Sequence, residues 1–357
     1  MNLAIIGLPQ SGVTTVFSAL TGRHQDTHAY AKPGELHVAA VKVPDRRVDV
    51  LAAMFQPKKI THAVVEYLEV PGLFSAASGG ARSDAAAAAT VRDADACIKV
   101  LRNFDSDAAP NPRGANDPVR DLRDINDELL MLDLGVIEKR VHRLRKDVTK
   151  PTPEQERNKI ELAAFERCLA AVEAGQGLRD VPLNDHEQRL LRGYGFLTIQ
   201  PCLHVVNVNE SDIGSDDALA GLPPETSLAF CARIEDELEQ LEDADRAEFM
   251  ADLGITQLAR DRLIGMSYGL LGLLSFLTFN KDEVRAWALP KGGTALDAAG
   301  AIHSDLARGF IRAEVIRFED FEQFGSEREI RAHGKERLEG RDYVVEDGDI
   351  INIRFNV

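Results

Sequence analysis

The sequence predicts an α/β protein: a parallel-sheet domain opening on a glycine-bounded turn, a helical hairpin inserted into it, and a smaller mixed sheet at the end. Three observations predict this. Strand and helix patterns alternate from residue 1 to about 105, as in βαβ units. Two helical arms follow a Pro/Asn/Asp/Gly-rich linker. The last eighty or so residues then restart with a strand, a capped helix and an alternating apolar end.

The first 22 residues, MNLAIIGLPQSGVTTVFSALTG, set the pattern. An apolar strand, Leu3 to Ile6, runs into a turn of Gly7, Leu8, Pro9, Gln10, Ser11 and Gly12. A helix opens at Val13, Thr14 and Thr15 and closes near Gly22. These are the parts of a phosphate-binding P-loop, G-x-x-x-x-G-K-[ST]. In such a turn the backbone N–H groups point inward, where the helix dipole adds positive potential. The lysine that reaches the outer phosphates is here Val13.

Residues 23–35 are polar and aperiodic and read as a loop; 36–43 read as a strand and 48–55 as a short helix. AVVEYLEV, 63–70, is β-branched and apolar, a strand ending on Pro71 and Gly72. An alanine-rich helix over 81–95 leads to a buried strand at 97–101, and 105–118 is the linker. Residues 119–174 are helical, broken at 149–153. Ile137, Val141, Leu144 and Val148 share one face of the first arm, and Leu162, Phe165, Leu169 and Val172 one face of the second. Antiparallel arms joined by a Pro-containing turn make a helical hairpin. Lys139, Arg140, Arg143, Arg145 and Lys146 on its first arm read as a solvated face or as a nucleic-acid or ribosome contact.

Strands return at 196–208 and 227–232, followed by a helical region over 235–276. In the last part 284–289 is a strand, and Thr294 starts a helix with Asp297 as its capping partner. Leu296, Ala299, Ile302 and Leu306 share one side of that helix. Tyr343 to Val345, a turn at Asp347-Gly348, and alternating Ile351, Ile353, Phe355 and Val357 predict a terminal hairpin. The expected divisions are 1–110 with 195–276, 111–194, and 277–357.

A chain of 357 residues with 44% apolar and 28% charged residues has room for two or three packed domains. The net charge of -16 argues against wholesale coating of nucleic acid while leaving room for a local basic surface. Cys97, Cys168, Cys202 and Cys231 form no C-x-x-C pair, which points to buried thiols in a reducing cytoplasm. No secretory leader is legible at the start, and the greasy stretch 265–279 is too short to span a bilayer.

Glu69-Val-Pro-Gly72 follows a strand where nucleotide triphosphatases place Asp-x-x-Gly for Mg²⁺ and the γ-phosphate. Asn207-Val208-Asn-Glu210 ends a later strand where such proteins read the base, and Cys231-Ala232 ends the next, where a short motif backs that base. With these motifs the chain resembles the YchF/Obg-like ATPase family, a branch of the Obg-type translation-factor GTPases. The likeness runs nearly the full length and is strongest in DEVRAWALPKGGTALDAAGAIHSDLARGFIRAEVIRFEDF and YVVEDGDIINIRFNV. GFLTIQPCLHVVNVNE and EFMADLGI are also similar to family segments.

The resemblance implies a Ras-like P-loop NTPase domain, a coiled-coil-like hairpin and a C-terminal β-grasp TGS domain. It implies ATP or GTP with Mg²⁺ as ligands, ATP preferred, and cytoplasmic association with ribosomes. Gly7, Pro9 to Thr15, Asn207, Val208, Glu210, Cys231 and Ala232 would hold the nucleotide, with Thr14 on the metal and Glu69, Gly72 and Leu73 at the switch. Glu210 stands where guanine-reading proteins have aspartate, which relaxes guanine selection. Leu73 fits the family's hydrophobic residue in place of a water-orienting glutamine.

The departures gather at the γ-phosphate end. Val13 replaces lysine and Glu69 aspartate; Pro33 falls where the family has a threonine, Thr27 lying earlier in the same loop, and Asn111 stands near the place of a histidine proposed to assist hydrolysis. Losing the lysine alone would cost on the order of 3 kcal/mol, about a hundredfold in rate. Lys58, Lys59 and Arg82 are candidate replacement cations. His303 reads as an ordinary histidine, and Arg328, Arg331, Lys335, Arg337 and Arg341 as a solvated basic surface or, alternatively, an RNA-facing patch. Two functions stand: a nucleotide-binding protein with weak or absent hydrolysis, and a non-catalytic interaction module.

Overall fold

The computed structural model describes residues 1–22, 36–70, 72–74 and 85–356. Two compact units divide the chain: 1–39 with 66–260, and 40–65 with 261–357. The division passes within β2 (His37–Lys42) and β4 (Val64–Glu69).

In the first unit β1 (Asn2–Gly7) leads into α1 (Val13–Thr21). Gly22 closes α1 in the left-handed conformation, its N–H on the Ser18 carbonyl. α2 (Arg46–Phe55) and β3 (Lys59–Thr61) belong to the second unit. α3 (Ala85–Asp93), β5 (Ala96–Asn103), the long α4 (Pro118–Asp147), α5 (Gln155–Glu173) and the short α6 (Asp185–Arg192) then follow. β6 (Cys202–Val208), β7 (Ser227–Phe230), α7 (Ala232–Glu239) and α8 (Asp243–Asp252) complete this unit, and α9 (Ala259–Leu270) begins at its end.

The sheet order is β2-β4-β1-β5-β6-β7. β1 pairs in parallel with β4 and β5, and β6 with β5 and β7. Strands buried on both faces read as continuous apolar runs. β1 does so, while β5 and β6 are buried along nearly their whole length yet carry Lys99, Arg102 and His204. Gly7 and Asn207 stand at or next to the C-terminal ends of β1 and β6. Ile125 and Leu129 of α4 enter the sheet core with Leu101 and Val206. Farther along, Ile137, Val141 and Leu144 pack with Phe165, Cys168 and Val172 in the hairpin core. Arg140 and Arg145 are tied to Glu161 and Glu166 of the facing arm.

The expected strand over 196–208 begins only at Cys202. Phe196 and Leu197 instead fill two different apolar cores. The buried Asp133 carboxylate fixes them by accepting from Leu197 N, Thr198 N, the Thr198 hydroxyl and Arg92, at 2.9–3.0 Å. Its oxygens lie at zero exposure, and four donors satisfy them.

The second unit holds β8 (Leu273–Phe279), β9 (Glu283–Pro290), α10 (Ala295–Ile302), α11 (Ser304–Arg308) and β10 (Phe310–Arg317). α12 (Phe318–Phe324), α13 (Glu327–Ala332), β11 (Arg337–Glu339) and β12 (Asp349–Phe355) follow. Its mixed sheet has the order β11-β10-β12-β8-β9-β3, with α10 packed over Phe276, Leu289, Val315 and Ile351.

Three expectations are corrected here. The helical reading to Phe276 stops at Leu270, because Gly272 at φ 65° ends the run and Leu273–Phe279 pairs with β9. The terminal hairpin does not form: β12 lies antiparallel to β10 and parallel to β8, while Val344 only bridges Thr294. The single helix through Leu306 breaks at His303, whose Nδ1 accepts from Asp305 N to start α11. Among the basic residues near the end, Arg331, Lys335 and Arg337 are paired with Glu327 and Glu336, Asp320, and Asp349, while Arg328 and Arg341 are exposed.

The Thr294–Asp297 capping box is present as expected. Hydrogen bonds from Thr294 N and its hydroxyl hold the Asp297 carboxyl below its usual 3.8. Thr294→Ala is expected to cost about 1 kcal/mol in thermal or urea denaturation. For a depressed carboxyl the stabilisation is complete above the unfolded pKa and is lost as pH falls through the folded one. The cost of Thr294→Ala therefore shrinks in acid, below about pH 4.

Candidate functional site: a P-loop and its two cavities

Gly7 ends β1 and Gly12 caps α1 with φ 89°. A Cβ on Gly12 would lie 2.3 Å from Asn207 Nδ2, so the loop approaches β6 at a distance only glycine permits. Gln10 also takes a positive φ, 63°. No side chain caps the helix at Gly12, and the first-turn N–H groups have no intrahelical partner. The Ser11 hydroxyl is buried without a hydrogen-bond partner. Orphaned donors, a helix N-terminus and a glycine-formed cradle fit an oxyanion such as phosphate.

One cavity of about 430 Å³ is lined by Gly7 to Thr14, Glu69, Val70, Gly72 and Phe74. A second, of about 500 Å³, is lined by Thr15, Phe104, Asn207, Val208, Glu210, Cys231 and Ala232 among others. The expected phosphate-side and base-side residues are thus brought together as two groups flanking the loop.

Asn207, nearly buried at the end of β6, holds the parts in register. Its Nδ2 donates to the Ser11 carbonyl and its Oδ1 accepts from Ala232 N, both at 3.2 Å. Glu210 is half-exposed and takes a 2.7 Å ion pair from Arg233, a cavity-lining residue that sequence reasoning had not singled out.

At the phosphate side, Thr14 Oγ1 donates to Glu69 Oε1 at 2.5 Å. Glu69 Oε2 lies 2.6 Å from His37 Nδ1, which donates when the carboxylate is ionised. The extra methylene of glutamate lets one buried carboxylate hold both partners. A hydroxyl beside a carboxylate suits a hard cation such as Mg²⁺. His37 was missed because a histidine in a short alternating strand carries no motif. His37→Phe leaves Glu69 buried with one partner fewer. It is expected to lower stability by about 1–2 kcal/mol at neutral pH, read by thermal denaturation.

Arg102 was also missed. Its guanidinium, buried at the end of β5, donates to the Gln10 and Ala109 carbonyls, both at 2.7 Å, and lies 4.0 Å from the Phe104 ring centroid. It places a positive charge directly on the P-loop backbone, where burial pulls its pKa down.

Other expectations are revised. Leu73 is turned into the apolar core at 1% exposure, away from the cavity lining. Lys58 and Lys59 pair with Asp282 and Glu283 in the second unit. Asn111 donates to Asn116 within its own loop. Thr27, Pro33 and Arg82 lie outside the described residues.

Residues 273–356 match the family model described as YchF-GTPase_C, a protein of unknown function (DUF933). Over 360 residues the chain is 37% identical to the ribosome-binding ATPase YchF of Haemophilus influenzae, covering 99% of this chain and 98% of that one. It is 35% identical over 369 residues to the protein of the same name from Bacillus subtilis, covering all of both. The solved structure of the Schizosaccharomyces pombe YchF GTPase matches with a TM-score of 0.85 at 30% identity, over 99% of this chain and 97% of that one. Matched over nearly its whole length at 35–37% identity, and in fold at a TM-score of 0.85, the chain belongs to the YchF family.

Proposed function

We propose that the protein binds ATP or GTP at the P-loop, associates with ribosomes in the cytoplasm and hydrolyses nucleotide weakly or not at all. The observation that carries the reading is the loop itself: a glycine-formed oxyanion cradle is intact while Val13 stands where a lysine would neutralise the outer phosphates. In phosphoryl transfer, catalysis is chiefly positioning and charge neutralisation, so a cradle without its cation favours holding over cutting. Gly7, Pro9, Gln10, Ser11, Gly12, Val13, Thr14 and Thr15 are assigned to the phosphates. Asn207, Val208, Glu210, Cys231 and Ala232 are assigned to the base, and Glu69 and Gly72 to the switch. Thr14, with Glu69 behind it, would hold Mg²⁺, which would supply charge neutralisation at the phosphates.

The ribosome and nucleotide readings draw on the names of the relatives. The hairpin over 111–194 and the C-terminal unit from 277, assigned as a TGS domain, are the proposed docking parts; residues 1–110 and 195–276 form the nucleotide domain of this reading. Among the described residues no helix is long and apolar enough to cross a membrane.

A non-catalytic interaction module is the second reading. It is favoured by the Arg233–Glu210 ion pair, which occupies the carboxylate meant for the base. Calorimetric titration with ATP, ADP, GTP and GDP, with and without Mg²⁺, separates the two. Micromolar-range binding is expected; no heat with any of them would leave only the interaction module.

A further inference from the structure

The sheet carries a second cluster of chemistry that the nucleotide site does not use. Cys97 and Lys99 lie on β5, Cys202 and His204 on β6, and the register pairs Cys97 with Cys202 and Lys99 with His204. Side chains two apart on a strand share a face, and adjacent strands in register share it too. The four side chains therefore form a two-by-two block on one face of the sheet.

The block opens on a cavity of about 500 Å³ lined by Lys99, Asn126, Arg179, Gln200, Cys202 and His204 among others. His204 Nε2 lies 3.7 Å from Cys202 Sγ. Its Nδ1 faces the hydroxyls of Thr226 and Ser227 at 3.4 Å, so a hydroxyl proton on Nδ1 leaves Nε2–H aimed at the sulfur. Lys99 is buried and donates to Asn126 Oδ1 at 2.6 Å.

We propose that Cys202 and Cys97 form a peroxide-oxidisable dithiol, with Cys202 as the attacking sulfur reached through this cavity. The Cys202 thiolate attacks one oxygen of a hydroperoxide and breaks the O–O bond. The leaving hydroxide or alkoxide takes a proton from solvent and departs as water or alcohol, and Cys202 becomes a sulfenic acid. The Cys97 sulfur then attacks Cys202 Sγ and expels hydroxide, which leaves as water with the Cys97 proton. The protein loses two hydrogens; the peroxide is the oxidant.

The electrostatics run the same way. The thiol of Cys97, Nε2 of His204 and the charge of Lys99 hold the Cys202 sulfur below the usual thiol range, against the effect of burial. Hydrogen bonding to that sulfur, then burial, push Cys97 up. The thiolate is the nucleophile. Neighbouring strands lie about 4.7–4.9 Å apart, inside the Cα separation a disulfide spans, about 4.4–6.8 Å. Cys168, pushed up to about 11 by burial, and Cys231, also raised by burial, lack this setting and serve as internal controls.

The test treats the reduced, purified full-length protein with hydrogen peroxide, then alkylates it under denaturing conditions and maps its peptides. The expected product has lost two hydrogens and carries a Cys97–Cys202 cross-link, with Cys168 and Cys231 alkylated. In Cys97→Ser a sulfenic-acid probe is expected to label Cys202 alone. In His204→Ala native-state alkylation of Cys202 is expected to slow about tenfold relative to Cys168. An unchanged mass, a product that includes Cys168 or Cys231, or a lasting sulfenate with Cys97 still free would each overturn the proposal. The wild-type peptide map decides it even if a variant fails to fold.

Discussion

Val13→Lys is expected to raise nucleotide hydrolysis about a hundredfold, the gain corresponding to roughly 3 kcal/mol of transition-state stabilisation. Val13 is the first residue of α1 and lines the phosphate-side cavity. Its Cγ2 is among the atoms a Cβ on Gly7 would crowd, at 2.9 Å, with Ser11 Oγ nearer at 2.4 Å, so the side chain lies close to the turn. A lysine there would send its ammonium along the same direction, beyond the methyl, into the cavity. The backbone donors, Thr14 and Glu69 stand ready, so the change adds the missing charge to an otherwise built loop. Single-turnover hydrolysis of ATP and GTP measures it, with Val13→Ala as the control for a mere change of packing. An equal rate in wild type and Val13→Lys would mean that Arg102, already on the Gln10 carbonyl, supplies the charge or that the loop never engages the outer phosphates.

Which parts were legible follows from what kind of signal each leaves. The P-loop is local: one strand, two glycines and a helix start carry their reasons within 22 residues, and the structure places them as expected. The hairpin was legible for the same reason, since heptad-like faces such as Ile137, Val141 and Leu144 repeat along one arm. The terminal hairpin misled because alternation shows that a strand has a buried face and is silent on its partner. β12 found β10, more than thirty residues earlier, and not the neighbouring 343–345. His37 and Arg102 escaped notice because their roles arise from register. Each sits unremarkably in a strand and meets Glu69 or Gln10 only when the sheet sets β2 beside β4 and β5 beside β1. The Cys97–Cys202 pair has the same origin: 105 positions separate residues that β5 and β6 place side by side.

Gly12→Ala is expected to be the most damaging single change at the loop, lowering stability by about 3–5 kcal/mol and removing nucleotide binding. Alanine at φ 89° costs on the order of 1–2 kcal/mol in backbone strain. The added Cβ would also lie 2.3 Å from Asn207 Nδ2, closer than any real contact. Asn207 has little room to yield, because its amide joins the Ser11 carbonyl to Ala232 N and its residue is buried. Displacing it leaves a buried carbonyl and a helix-start N–H without partners, each costing about 1–3 kcal/mol. Urea denaturation reads the stability loss, and calorimetry reads binding. Asn207→Ala in the Gly12→Ala background separates the sources. If the clash dominates, removing the Asn207 side chain adds much less than its cost in the wild-type background, a coupling a double-mutant cycle measures directly. Additive costs would assign the loss to backbone strain alone and would make Asn207 a partner of the loop that Gly12 does not need to accommodate.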